Sequence, residues 1–502
     1  MALAPPQQSS GASSRPLVLR KVSTGLAARP SLLAAATVLL VCVPSGEKDV
    51  TAAVHITAAD LASLALVALT ALELLRGRTP ALSRTACVLF GAVVCAAAAA
   101  TICSIDPATS LTGFVRLVQV FVLVPASVLC SLRDRLDQRL ILGSFVVAAL
   151  IQGVVGANQY LTRTGASYTG QPIRAVGTFG ALDIMAMSTV VSFGLLSALA
   201  LALGERGSGG SRRLRWAMYA AAAFLAFPLA VSFSRGSWIA CGAAVAVLLL
   251  RADARLAVRS TVLALAAAVV LVGGLGLGSS GVTERLSSIG SVSAAPDQSV
   301  SDRYDLWSTA GRIWQDHPVT GAGPKAFQQL RDSHAPLRLS SGSDAADATI
   351  GFQREPLLSP HNMYFLVLSE QGLIGMIAYA ALFLTLLIGC LRSSYGLGSP
   401  PGALDPAPTL ALLARQRAGG AHPPALPPSS VARRSSLSAP ARPSARSLRG
   451  PGLAALALLS WVLVDFLYAD IGGTTTVLTS VVLGLAARSA LPGPNLPGVR
   501  PA

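Results

Sequence analysis

Long apolar runs alternate along this chain with short polar joints. Several runs reach roughly 20 residues, the length a helix needs to cross a hydrocarbon core of about 30 Å. The runs fall at about 30–45, 57–75, 85–105, 111–131, 139–161, 179–204, 215–233, 237–250, 260–280, 362–391, 451–469 and 473–489. They are continuous and rich in Ala and Leu. They lack the alternation at every second residue that marks the strands of a membrane barrel. The pattern therefore predicts an all-α polytopic membrane protein of about twelve transmembrane helices, with one large extracytoplasmic loop between the ninth and tenth.

On this reading the chain divides into a disordered cytoplasmic N-terminus (1–30), helices one to nine (31–280) and an extracytoplasmic loop containing an amphipathic helix (281–361). The tenth helix (362–391), a disordered basic cytoplasmic linker (392–450), the last two helices (451–490) and a cytoplasmic tail (491–502) follow. Within the large loop, Leu306, Trp307, Ala310, Ile313 and Trp314 recur near helical spacing, so Asp302–Asp316 reads as a helix with Ser301 as its cap. The run His317-Pro318-Val319-Thr320-Gly321-Ala322-Gly323-Pro324 then imposes a turn-rich break. The 392–450 segment is Pro-, Ser-, Ala- and Arg-rich without apolar periodicity, which is the composition of a linker.

Charge changes the picture by fixing an orientation. Only 12% of the residues are charged, against about 25% in soluble domains, and mean hydropathy is +0.60. The net charge of +16 is not a nucleic-acid footprint. The basic joints around Arg76/Arg78/Arg84, Arg133/Arg135/Arg139, Arg206/Arg212/Arg213/Arg215 and Arg251/Arg255/Arg259 alternate with joints nearly free of Lys and Arg. All fall on the side of the N-terminus, as the positive-inside rule requires. Both termini are therefore expected in the cytoplasm, with the protein multi-pass in a cytoplasmic (inner) membrane. No cleavable signal peptide is evident before or after the first apolar run. The seven cysteines lie in or beside apolar runs with no CxxC or Cys/His cluster, so they read as small buried hydrophobes and not as metal ligands.

Few charged residues remain on the outer side. Arg235, in the short Ser232-Phe233-Ser234-Arg235-Gly236-Ser237-Trp238 turn, stands beside Gly236, which allows close backbone approach. A guanidinium fork suits phosphate oxygens; the plainer alternative is an arginine snorkelling to headgroups. Arg174 precedes the sixth span, Arg303 opens the amphipathic helix, and Arg116 lies inside or near the outer end of the fourth span, a costly depth unless it meets a polar partner. Arg174 and Arg116 could equally be paired structurally, with Asp183 or Asp465 as candidates.

His361, followed by Asn362 at the head of the tenth span, is either a general base oriented by its neighbour or part of a helix cap. Glu370 below it is either a proton relay or a buried structural acid. His317, before Pro318, reads as a turn element. No Asp-x-Asp, P-loop, G-x-S-x-G or HExxH stands in the chain, so arginines are the residues left to compensate charge, without metal or other cofactor.

These residues resemble the O-antigen ligase and polymerase superfamily, bacterial membrane glycosyltransferases that use polyprenyl-diphosphate-linked glycans. Three stretches carry the resemblance. Ser232 to Trp238 is similar to the family's S-x-S-R-G turn. Arg303 to Trp307, then His317-Pro318, Gly321-Ala322-Gly323 and Phe327, is similar to its R-x-x-x-W…P-x-x-G-x-G…F segment. His361-Asn362 followed by Gly372-Leu373-Ile374-Gly375 is similar to its H-[N/S/Q]-x9-G-x-x-G signature.

The resemblance implies that His361 is the catalytic histidine, and that Arg235 and Arg303, with Arg174 and Arg116 as looser matches, bind the donor diphosphate. Asn362, Ser234, Gly236, Glu370 and His317 support them. The implied reaction is metal-independent and inverting. It moves a glycan from an undecaprenyl- or other polyprenyl-diphosphate donor to a glycan, lipid or wall acceptor at the outer face of the membrane. A polysaccharide polymerase of the same superfamily is an alternative, as is a transporter for an anion or lipid-linked sugar. The glycines after His361 are expected to pack helices closely below the site.

Overall fold

The computed structural model describes residues 29–44, 57–79, 81–168, 173–180, 183, 185–204, 211–252, 298–347, 351–394 and 449–491. The expected 260–280 span, the N-terminal 1–28 segment, most of the 392–450 linker and the 492–502 tail lie outside the described residues.

Each other expected span falls on a helix. In chain order these are α1 (Ser31–Leu40), α2 (Ala58–Leu75), α3 (Arg84–Ile102), α4 (Pro107–Ser131), α5 (Arg135–Thr162), α6 (Ala186–Gly204), α7 (Arg212–Ala230) and α8 (Arg235–Ala252). After the large loop come α11 (Met363–Ser394), α12 (Arg449–Asp465) and α13 (Thr476–Ala490). The loop itself contributes α9 (Gln298–Asp316) and α10 (Ala326–His334).

Helix starts follow local chemistry. Thr57 and Asp60 close a capping box on α2, Ser83 caps α3, and Asp106 before Pro107 caps α4. Inside α4 a π-turn spans Gln119–Leu123, just ahead of Pro125. Proline has no N–H to donate, and a widened turn absorbs the missing bond without breaking the helix.

Among the described residues, seven helices are long and apolar enough to cross a membrane: α2 to α6, α8 and α11. Helices α1, α12 and α13 are shorter, and α7 begins with three arginines (Arg212, Arg213, Arg215). The molecule is thus a multi-pass helical membrane protein. The expected sixth span starts late: residues 179–185 precede α6, and Gly177 and Gly180 turn the chain there at φ +66° and +78°.

Helices α6, α12 and α13 form the centre, with α6 and α13 buried on almost every side. Apolar burial supplies little drive in lipid, so close backbone contact has to hold such a bundle. A methyl on Gly194 of α6 would lie 2.0 Å from the Ala149 side chain of α5, and one on Gly204 would lie 3.0 Å from Gly450 of α12. Aromatic rings fill the remaining space, notably Trp461 on Phe193 and Phe121 on Tyr379.

Two features differ from the sequence expectation. The all-α description holds for the bundle, but a small antiparallel sheet sits beside it. Strands β1 (Ala166–Tyr168), β2 (Gly342–Asp347) and β3 (Gly351–Pro356) lie in the order β1-β2-β3, with Ala166 opposite Asp347 and Gly342 opposite Pro356. Sequences such as Gly-Ser-Asp-Ala-Ala-Asp carry no strand alternation, so nothing local announced it.

The second concerns the glycines of α11. Gly372 has φ +60° and ψ −158°, a conformation essentially reserved for glycine, and it breaks α11 in two. The turn-rich run 318–323 lies along the break. Its carbonyls at Pro318 and Val319 accept from Leu373 N and Ile374 N, while Ala322 N and Gly323 N donate to the freed carbonyls of Ser369 and Glu370. Gly372 is therefore a helix break rather than a helix-packing contact. Gly321 (φ +70°) is glycine because a Cβ would sit 2.2 Å from the Glu370 carbonyl carbon. Broken backbone is tolerated at membrane depth only where another segment satisfies it, and here the large loop does so.

Candidate functional site

The break in α11 anchors the large loop, and three further contacts set its upper half around His361. The buried face of α9 (Leu306, Ala310, Ile313) packs with Phe327 of α10 into a small core of its own. Trp307 stacks on Phe365 of α11 at 5.9 Å and donates its indole N–H to the Pro360 carbonyl (3.0 Å), immediately before His361. From the opposite side the joint between α12 and α13 closes in. Met363 N donates to the carbonyls of Phe466 and Ala469, and Asn362 Nδ2 donates to that of Leu467.

These bonds bear on the helix cap alone. Asn362 is the cap: its Oδ1 accepts from Tyr364 N and Phe365 N. His361, one residue outside the helix, takes the left-handed φ of +47°, rare for a residue with a Cβ. Its ring is not used in capping. The imidazole lies within electrostatic reach of Asp470 and Arg303. It is half-buried. That partial loss of hydration holds it below its usual pKa; Arg303 adds to the effect and Asp470 opposes it.

The loop Phe466–Asp470 gathers the rest. Arg303 Nη1 donates to the Tyr468 carbonyl (3.1 Å). Gly236 lies against the Tyr468 side chain, where a methyl would come within 3.2 Å of Cβ. Arg235 is thereby brought to the same loop as Arg303. It occupies the first position of α8, after Phe233 at φ +50° reverses the chain and Ser234 Oγ accepts from Ser237 N. A helix N-terminus adds its own positive end to that of the guanidinium. Ser234 Oγ also donates to Ser237 Oγ (2.9 Å), which fixes the turn.

Arg174 is buried beside the same turn. It exchanges backbone bonds with Ala166 of β1, and the next residue, Ala175, donates to the Val231 carbonyl.

Three sequence candidates stand elsewhere. Arg116 binds Asp60 (2.5 Å) and Gln119 (3.2 Å), and Gln119 in turn donates to Ser63, a cluster between α2 and α4. Its partner is Asp60, and neither Asp183 nor Asp465. Asp183 instead accepts from Thr474 N and Oγ1, and Asp465 lies within electrostatic reach of Arg303. Glu370 accepts from Phe327 N (3.4 Å) at the start of α10, the role of a structural acid under a helix N-terminus. His317 ends α9, where its N–H donates to Ile313 and its carbonyl accepts from Gly321.

Sequence reasoning passed over Asp470. Its carboxyl is approached by the Ser359 hydroxyl and the His361 N–H, and its Oδ2 is buried without a hydrogen-bond partner among the described residues. Burial pushes this carboxyl above its usual pKa, while His361 and Arg303 oppose that rise. The signal that could have found it was its place, an acid in the joint between the last two apolar runs, where outer-side charges are scarce.

Around the loop Phe466–Asp470 the structure thus gathers His361, Arg303, Asp465 and Asp470, with the turn that carries Arg235 packed on the same loop. Such a set can accept a proton and neutralise a departing anion. Among the described residues no three His, Cys, Asp or Glu gather as metal ligands. Residues 220–380, which contain Arg235, Arg303 and His361, match the family model described as O-antigen ligase. No curated protein matches the chain. The matched region carries the turn, the loop helix and the His-Asn cap around the site, and it supports the resemblance of this part of the chain to the O-antigen ligase superfamily.

Proposed function

We propose that this protein transfers a glycan from a polyprenyl-diphosphate donor to an acceptor hydroxyl, with His361 as the general base. The observation that carries the reading is the meeting of Arg303, Gly236 and the His361 cap on the single loop Phe466–Asp470. His361 is free of the helix cap and held toward its neutral form, so it accepts the acceptor's O–H proton as the oxygen attacks the anomeric carbon. The bond from that carbon to the diphosphate oxygen breaks on the opposite face, which inverts the anomeric configuration. The negative charge that develops on the polyprenyl diphosphate is met by Arg235, aided by the N-terminus of α8, and by Arg303. Asp470 is a positioning residue that stabilises the imidazolium once it forms. Arg174 belongs to the same wall, whereas Arg116 acts through Asp60 as a structural pair.

The site opens on the outer face of the cytoplasmic membrane, with both termini inside; the placement of the basic joints supports this orientation. The test is reconstitution of the full chain in nanodiscs with the lipid-linked glycan fraction of the cells that produce it. Release of polyprenyl diphosphate in step with a new glycosidic bond of inverted configuration is expected. Absence of release, or a product that retains configuration, refutes the reading.

A further inference from the structure

The aromatic residues of α9 have no part in the chemistry just described, yet they run from the surface to the His361 turn. Tyr304 is half exposed (50%), although Asp302, Asp305 and Leu306 around it are buried. Its ring meets Trp307 edge-on at 5.4 Å and 88°. Trp307 stacks on Phe365 and bonds to Pro360 beside His361. The next residue back along the chain is Arg303, bound to the Tyr468 carbonyl.

We infer that Tyr304 is the platform on which a pyranose ring of the glycan stacks, one step out from the reacting sugar. This rests on the glycan-transfer reading above. The chemistry is specific: a pyranose presents a face of C–H groups whose partial positive charge suits the negative face of an aromatic ring. A rigid ring with few rotatable bonds orders such a ligand at small entropic cost. Trp307 meets the Tyr304 ring at right angles and fixes its tilt, and half of the Tyr304 side chain stays exposed to a ligand. Buried Leu306, Ala310 and Ile313 fix the helix beneath, while the Trp307–Pro360 bond ties the platform's position to that of His361. The stacked sugar comes either from the donor glycan or from the acceptor, and both present the same C–H face.

The experiment uses the full chain in nanodiscs, with the producing cell's lipid-linked glycan fraction as donor and the glycan freed from it by mild acid as acceptor. Tyr304→Ala, Tyr304→Phe and Tyr304→Trp are compared by steady-state kinetics, varying donor and acceptor in turn. Tyr304→Ala is expected to raise one KM by roughly three- to tenfold with kcat little changed. Phe and Trp, which keep the ring, restore it. The substrate whose KM moves is the one that stacks.

Saturation-transfer NMR of the freed glycan should show its pyranose C–H protons in contact with the wild type and lose that contact in the alanine variant. If wild type transfers glycan and Tyr304→Ala leaves both KM values unchanged, the platform is wrong and the transfer reading stands. A fall in kcat alone, or failure of Phe and Trp to restore KM, also overturns it. A wild type that neither binds nor transfers glycan overturns both.

Discussion

Gly372→Ala asks a single methyl to enter the hinge on which the site hangs. At φ +60° and ψ −158° an L residue is strained by about 1–3 kcal/mol before any contact is counted. The methyl would then lie 2.4 Å from the Val319 oxygen and 2.6 Å from Gly321 N, both backbone atoms with no freedom to swing aside. Relief requires the 318–323 run to separate from α11, exposing some of the four donor–acceptor pairs that join Pro318, Val319, Ala322 and Gly323 to the broken helix. Each buried backbone group left unpaired costs about 1–3 kcal/mol. With one or two such groups the total runs from about 2 kcal/mol to about 9 kcal/mol.

The same separation pulls Arg303 from His361, because α9 leads directly into the displaced run. Thermal unfolding of the detergent-solubilised protein, followed by size-exclusion, should show a marked loss of stability together with loss of glycan transfer. Gly311→Ala, also on the loop but with nothing within 4 Å of the added methyl, is the control. It should match or exceed wild type by up to about 1 kcal/mol, since alanine favours helix over glycine. A Gly372→Ala protein as stable and active as wild type would refute the inserted-loop account of the break.

Two further predictions concern the charges. Arg235→Lys should lose most transfer activity, because a point charge at the start of α8 cannot reproduce the two-pronged donation of guanidinium to diphosphate; the check is initial rate at saturating donor. The rate should also fall with acid as His361 is protonated, with a midpoint below the ordinary value of about 6.5, since partial burial disfavours the imidazolium. Asp470→Asn removes an attraction for that cation and should move the midpoint lower. Arg303→Gln removes a repulsion and should move the midpoint of whatever rate remains higher. Shifts in the opposite directions, read from pH–rate profiles, would break the link between these three residues.

The sequence made the bundle legible because apolar length reports directly on lipid. It also singled out Arg235, Arg303 and His361, since charges are few and each stands in a short motif; the structure sets Arg303, His361 and the turn that carries Arg235 around the loop Phe466–Asp470. Other features could not be read along the chain. The pair Arg116–Asp60 joins two helices, and a buried arginine announces only that it has a partner, not which one. Gly372 showed as a spacing, but a helix break and a close packing contact demand the same residue for different reasons. Asp470 reaches His361 across more than a hundred residues of chain, with two apolar helices and a linker between. Strands β2 and β3 pair from Gly342 opposite Pro356 to Asp347 opposite Gly351, in a sequence without alternation. In each case the missing information was a contact between distant segments, which periodicity does not encode.

The central claim is that His361 performs the chemistry while the arginines hold the donor. It is tested most directly by His361→Ala in nanodiscs, with transfer and donor binding measured on the same preparation. Transfer should fall by roughly 10²–10⁴-fold, the contribution of a positioned general base, while affinity for the lipid-linked glycan stays at the wild-type value because Arg235 and Arg303 remain. Turnover near the wild-type rate in the alanine variant would contradict the account.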